Sequence, residues 1–221
     1  VIARAARRAG CTVGVDLAHA IGNVPLALHE SGADFAVWCS YKYLNAGPGA
    51  IGGCFVHERH GADADLPRLA GWWGHEPATR FQMRPGFRPE PGAGGWQVSN
   101  PPILSSAPLV ASLRIFESAG LERLRRKSLA LTAWLADLLE PLPVTLVTPR
   151  DPMARGNQLS LRIAGGAQRG RAIFQSLSAS GIVCDWREPD ILRVAPAPLY
   201  NGFEDAVRLV EGLAAALRDA G

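Results

Sequence analysis

The chain is poor in cysteine, and none of its cysteines is spaced for shared chemistry. Cys11, Cys39, Cys54 and Cys184 form no Cys-x-x-Cys pair and have mostly apolar neighbours, which fits reduced thiols and argues against a disulfide frame or a zinc site. No apolar run reaches the roughly 18 residues that span a bilayer. The opening "VIARAARRAG" alternates small apolar residues with arginine and lacks the separate apolar core of a signal peptide. A block of one charge is missing too, since the net charge of +3 is spread through mixed-sign segments. The most basic run, "LERLRRKS" at 121–128, reads as the solvated face of a helix, not a nucleic-acid patch. There is no internal repeat and no low-complexity tract. These absences leave a soluble, cytoplasmic, globular protein with no membrane or nucleic-acid partner as the expectation. An initiator Met is also lacking, and helix-compatible residues lead to Gly10, a suitable C-cap. The chain is therefore expected to start inside a helix and to be the C-terminal part of something longer.

What is present suffices for one large domain or two modest ones: 221 residues, 48% hydrophobic and 19% charged. Residues 11–15 are short, apolar and β-rich, as in a buried parallel strand ending near Asp16. A short helix over 25–31, a turn at Gly32, a buried strand over 34–39 and a third strand in "AIGGCFVHE" follow, and this rhythm predicts an α/β sheet. Residues 61–102 are dense in glycine and proline and keep no period. Trp72, Trp73 and Trp96 argue that this long loop is ordered. Helices are predicted over 103–118, 122–139, 169–180 and 203–219, with strands in "VTLVT", "NQLSLRI", "IVCDW" and "ILRVAP". The fold class is thus α/β for 1–102, with a smaller α+β domain over 103–221, the boundary falling in the helix after Pro102.

"WCSYKYLNAGPGAIGG", at 38–53, contains Gly-x-Gly-x-x-Gly at Gly47, Gly49 and Gly52, but strand-like residues follow where a dinucleotide fingerprint needs a helix N-terminus. A tight turn between strands is the better reading. "HERH", at 57–60, has its histidines at i and i+3, not at the i and i+4 of a zinc helix, and is read as an exposed strand end. No metal is expected. Asp16 and His19 stand at the C-terminal end of a predicted strand, where α/β sheets place ligand sites, although Asp16 could equally cap a following helix. Lys42 follows the next strand, between Tyr41 and Tyr43. An amine and a carboxylate at neighbouring strand ends suit pyridoxal phosphate (PLP) chemistry, in which an acid faces the pyridine nitrogen and a lysine forms the imine.

With these residues in view, "VDLAHAIGN", "WCSYKYLNAGPGAIGG", "GWWGHEPATRFQM", "VSNPPIL" and "LRVAPAPLYN" resemble, in order and nearly from end to end, the kynureninase family of homodimeric fold-type-I PLP enzymes. The resemblance implies part of a PLP fold-type-I large domain with a smaller C-terminal α+β domain. It also implies hydrolysis of L-kynurenine or 3-hydroxykynurenine to an anthranilate and L-alanine, in tryptophan catabolism and NAD biosynthesis. Carried across by motif, Lys42 is the Schiff-base lysine, Asp16 the partner of the pyridinium nitrogen, and His19 a supporting neighbour of the cofactor. Tyr41 bonds the cofactor phosphate and serves proton transfer, and Trp72 reaches the phosphate through its indole N–H. Trp73, where the family often has Phe, shapes the aryl pocket. Asn100 contacts substrate and lies near the cofactor, and Arg193 clamps the substrate α-carboxylate. A planar guanidinium suits that last role, and it stands in an otherwise apolar strand where an unpaired charge is costly; a structural salt bridge is its alternative.

Two rivals remain at this point. A cysteine desulfurase or selenocysteine lyase shares the fold but needs a mobile nucleophilic cysteine, and Cys54 is expected in a buried strand, with no further cysteine before Cys184. A truncated, non-catalytic module is the other. In the family, residues ahead of the first motif supply a phosphate-binding loop, a ring stacked on the cofactor and a second acid. None can be found here, so weak PLP binding by this chain alone is expected.

Overall fold

In the computed structural model, which describes residues 1–220, the chain divides into two compact units, Val1–Ser118 and Ala119–Gly221. The division falls at the end of the helix that begins at Ile103, not at its start. Ser112, buried on that helix, donates its hydroxyl to the Leu44 carbonyl and so ties the helix to the first unit.

The first unit opens with α1 (Ile2–Arg8), then β1 (Gly14–Asp16), α2 (Leu28–Ser31), β2 (Phe35–Cys39), β3 (Gly52–Val56) and α3 (Glu58–Gly61), and ends with α4 (Ile103–Ala119). β1 pairs parallel with β2, and β2 antiparallel with β3. The parallel pair agrees with the reading of the sequence, but full burial does not. β1 is only three residues long, and alternation along β2 buries Ala36 while Phe35 and Val37 remain 42% and 45% exposed. Cys54, opposite Val37, lies on that same open face, so it is exposed and not buried as expected.

"HERH" also departs from expectation. His57 is buried and caps α3 by accepting from the Arg59 amide at 3.3 Å, and its ring stacks on His29 with centroids 4.6 Å apart. Arg59 and His60 converge on buried Asp34: Arg59 Nη2 stands 2.7 Å and His60 Nε2 2.7 Å from Oδ1, while the Val13 amide donates to Oδ2 at 2.7 Å. Burial alone would raise the Asp34 carboxyl. The bonds from His60, Val13 and Arg59 outweigh it and hold the group well below the usual carboxylate range. A segment read as a strand end is thus a helix that pins the entry of β2.

The second unit holds α5 (Leu121–Leu139), β4 (Val144–Leu146), β5 (Leu159–Ile163), α6 (Gly166–Ala179), β6 (Asp185–Arg187), β7 (Ile191–Val194) and α7 (Phe203–Asp219). Its four strands form an antiparallel sheet in the order β4-β5-β7-β6, as an α+β domain requires. Leu159, Leu161 and Ile163 of β5 alternate onto one face and pack with Leu192 and Val194 of β7 against the apolar stripes of the helices, such as Leu209, Leu213 and Leu217 on α7. The basic face of α5 is not wholly solvated. Arg125 donates to the carbonyls of Pro152 (2.7 Å) and Arg155 (2.8 Å), and Lys127 to that of Pro198 (2.8 Å). Their heads are short of water there, so they satisfy loop carbonyls instead.

Candidate active site

Asp16 is the last residue of β1, and the Leu17 amide continues the ladder by donating to the Val37 carbonyl at 2.8 Å. No helix follows. The Asp16 Oδ1 accepts from the Ala18 amide at 2.8 Å and closes a turn, which fixes an exposed carboxylate at the strand end. β2 ends one strand over at Cys39, whose thiol lies 3.9 Å from the Ala18 carbonyl. Ser40, fully buried, anchors the next turn by donating to the Ile51 carbonyl at 2.5 Å. Tyr41 and Lys42 follow immediately. Lys42 is half-buried, with Nζ 5.8 Å from the centroid of the exposed Tyr41 ring.

The two strand ends touch through their side chains. His19 meets Tyr43 edge to face with centroids 6.0 Å apart. Gly22 approaches the Tyr43 carbonyl so closely, with φ +74°, that a Cβ would stand 2.7 Å from that oxygen. The glycine run beyond Lys42 leads into β3, so the dinucleotide pattern lacks its helix.

A second cluster brings the turn of Trp72 and Trp73 beside Val98, two residues before Asn100. Trp72–Gly74 forms a 3-10 turn beside the segment that ends in Asn100. A Cβ on Gly71 would lie 2.0 Å from the Val98 carbonyl, so only glycine lets the two stretches lie together. Trp72 is 56% exposed, and its indole N–H donates to the Arg80 carbonyl at 2.9 Å. Trp73 is half-buried under the Arg80 guanidinium, 4.6 Å from its ring. Asn100 is exposed, its Oδ1 3.2 Å from the Ser99 hydroxyl. Arg80, which links both tryptophans, was not singled out from the sequence, because its contacts arise inside a stretch without periodicity.

Arg193 belongs to the second unit. It stands opposite Asp185 in the pairing of β6 with β7, and its Nε donates to Asp185 Oδ2 at 2.6 Å, with Nη2 bonded to the same oxygen. The guanidinium is one-fifth exposed and already has a carboxylate partner, as the salt-bridge reading anticipates. Cys184, beside Asp185, is half-buried, and burial pushes its thiol up to about 11, far from the thiolate a nucleophile needs. Among the described residues no group of three His, Cys, Asp or Glu side chains is arranged to hold a metal ion, and no helix is long and apolar enough to cross a membrane.

Comparison with known proteins shows what the chain is similar to. Residues 124–213 match the family model of the kynureninase C-terminal domain. Over 97% of its length the chain is 61% identical to the kynureninase of Xanthomonas oryzae pv. oryzae (strain PXO99A). The chain is similar to kynureninases over nearly all of its length. It covers 52% of that relative, so it spans about half the length of the curated kynureninases it matches. Among solved structures, the apo cysteine desulfurase of Thermococcus onnurineus NA1 aligns with a TM-score of 0.79 at 18% identity, over 99% of this chain and 55% of the other. The cystine C–S lyase C-DES, with glycine covalently linked to its PLP cofactor, aligns with a TM-score of 0.69 at 23% identity, over 89% of this chain and 49% of the other. At such identities these structures show the fold alone. The chain shares the fold of the aligned portions of these enzymes.

Proposed function

We propose that this chain carries the lysine-bearing part of a PLP-dependent kynureninase, which hydrolyses L-kynurenine or 3-hydroxykynurenine to anthranilate or 3-hydroxyanthranilate and L-alanine. The observation that carries the reading is that Asp16 ends β1 and Lys42 follows the end of its parallel neighbour β2, within a chain 61% identical to a kynureninase. The donor set fits the cofactor, because an exposed carboxylate fixed by the Ala18 amide can face a ring nitrogen, and a half-buried primary amine stands one strand away.

When bound, PLP supplies an electron sink for charge developing on the substrate carbons. Asp16 holds the proton at the pyridine nitrogen. His19, packed on Tyr43, supports the cofactor from the same strand end. Lys42 holds the cofactor and moves the proton at the substrate α-carbon, with Tyr41 beside it as a phosphate ligand and second proton carrier. Trp72 offers its indole N–H to the phosphate by exchanging the Arg80 carbonyl for it. Trp73 and Asn100 face the aryl ketone, whose hydration needs hydrogen-bond donors at the γ-carbonyl oxygen. Arg193 takes the substrate α-carboxylate as a planar fork. Four free thiols fit a cytoplasmic protein, and a homodimer completes the reading.

The desulfurase alternative gains from the exposure of Cys54, yet that thiol is fixed on β3 and Cys184 is held protonated by burial. Fluorescence of released anthranilate separates the two readings. A full-length protein carrying this sequence is expected to release anthranilate from kynurenine and no sulfur from cysteine, and the reverse outcome would replace the kynureninase reading.

A further inference from the structure

We propose that Arg80 is the positioning residue for the paired indoles of Trp72 and Trp73, and that through Trp73 it sets the affinity for the aryl ketone. The second half of this proposal rests on the kynureninase reading; the first stands on geometry. The Arg80 side chain is only 11% exposed. Its Nη2 donates to the carbonyls of Trp73 (2.8 Å) and His75 (3.0 Å), and its Nε to that of His75 (3.2 Å). The same guanidinium lies over the Trp73 ring at 4.6 Å, with Glu90 Oε2 3.8 Å away as counter-charge. From its backbone, Arg80 accepts the Trp72 N–H at 2.9 Å.

One residue therefore reaches both rings, Trp73 through its side chain and, without PLP, Trp72 through its carbonyl; in the loaded protein, where the Trp72 N–H turns to the phosphate, Arg80 acts on the aryl ketone through Trp73. The carbonyl is itself held in place, because the Arg80 amide donates to Glu76 at 3.1 Å and the anchored side chain prevents the turn from swinging out. Trp72 has few other constraints, being more than half exposed and touching one further ring, Phe81, at 5.6 Å. A planar fork is required for this set of contacts. A lysine ammonium can face the ring or a carbonyl, but it cannot lie over the ring while donating in plane to two carbonyls.

Arg80→Met keeps the stem and removes the fork. In the chain described here, it is expected to lose near-ultraviolet tryptophan dichroism with an unchanged far-ultraviolet spectrum. That loss should vanish when the substitution is made in a Trp72→Phe, Trp73→Phe background. In the full-length, PLP-loaded protein, KM for kynurenine is expected to rise about tenfold or more with kcat within about threefold. Arg80→Lys should recover only part of that KM, and it replaces the Met variant if the latter does not fold. An unchanged near-ultraviolet spectrum, or a changed one with an unchanged KM, overturns the proposal. If the unsubstituted full-length protein does not hydrolyse kynurenine, the functional reading fails instead, and the dichroism alone then decides whether Arg80 positions the indoles.

Discussion

The imidazole of His19 and the phenol of Tyr43 meet edge to face at 6.0 Å, joining the segment after β1 to the segment after β2. Asp16 and Lys42 flank this contact in sequence, so it couples the carboxylate end of the site to the amine end. Tyr43→Leu keeps apolar bulk and removes the aromatic edge, a contact worth about 0.5–1.5 kcal/mol. PLP affinity of the full-length protein is expected to fall about threefold to tenfold, as measured by absorbance titration, with thermal stability nearly unchanged.

Arg193 offers a separation of binding from stability. Its partner Asp185 is nearly half exposed, so loss of the pair should cost less than about 1 kcal/mol in urea unfolding. Lysine cannot reproduce a bidentate fork, and Arg193→Lys is expected to raise KM for kynurenine about tenfold to a hundredfold. A variant that loses stability and keeps its KM would identify Arg193 as structural.

The Asp34 cluster sets an acid limit on the first unit. Because the folded-state carboxyl lies below its ordinary value, its contribution is fully present above about pH 4 and fades as pH falls towards the depressed folded value. Asp34→Asn leaves Arg59 without its carboxylate and is expected to cost about 2 kcal/mol at pH 7. Urea midpoints for the two proteins should converge as the pH is lowered from 5 towards about 2.

Much of this organisation was legible in the sequence. The strand endings that present Asp16 and Lys42, the turn after Lys42 and the four strands of the second unit all follow local patterns of apolar and turn-forming residues. What local pattern could not show were contacts between distant residues. Asp34 meets Arg59 and His60 across a turn of chain that looked like a strand end, and Arg80 reaches two tryptophans within a glycine-rich stretch. Exposure was misjudged where an apolar strand has one open face, as at Phe35, Val37 and Cys54.

Gly71 tests the packing of the tryptophan turn on the Val98 segment. Its φ of −146° suits any residue, so the cost of Gly71→Ala is steric: the added Cβ would stand 2.0 Å from the Val98 carbonyl. Separation of the two segments is expected to destabilise the first unit by about 2 kcal/mol. Hydrolysis of kynurenine should fall with it, and chemical denaturation together with an anthranilate assay checks both.

The most direct measurement is the site at which the cofactor becomes attached. PLP added to a full-length protein carrying this sequence, followed by borohydride reduction and peptide mass spectrometry, is expected to find the reduced pyridoxyl group on Lys42. The visible absorbance band should be lost in Lys42→Ala. A pyridoxyl group on another lysine, or an undiminished band in Lys42→Ala, would contradict the account.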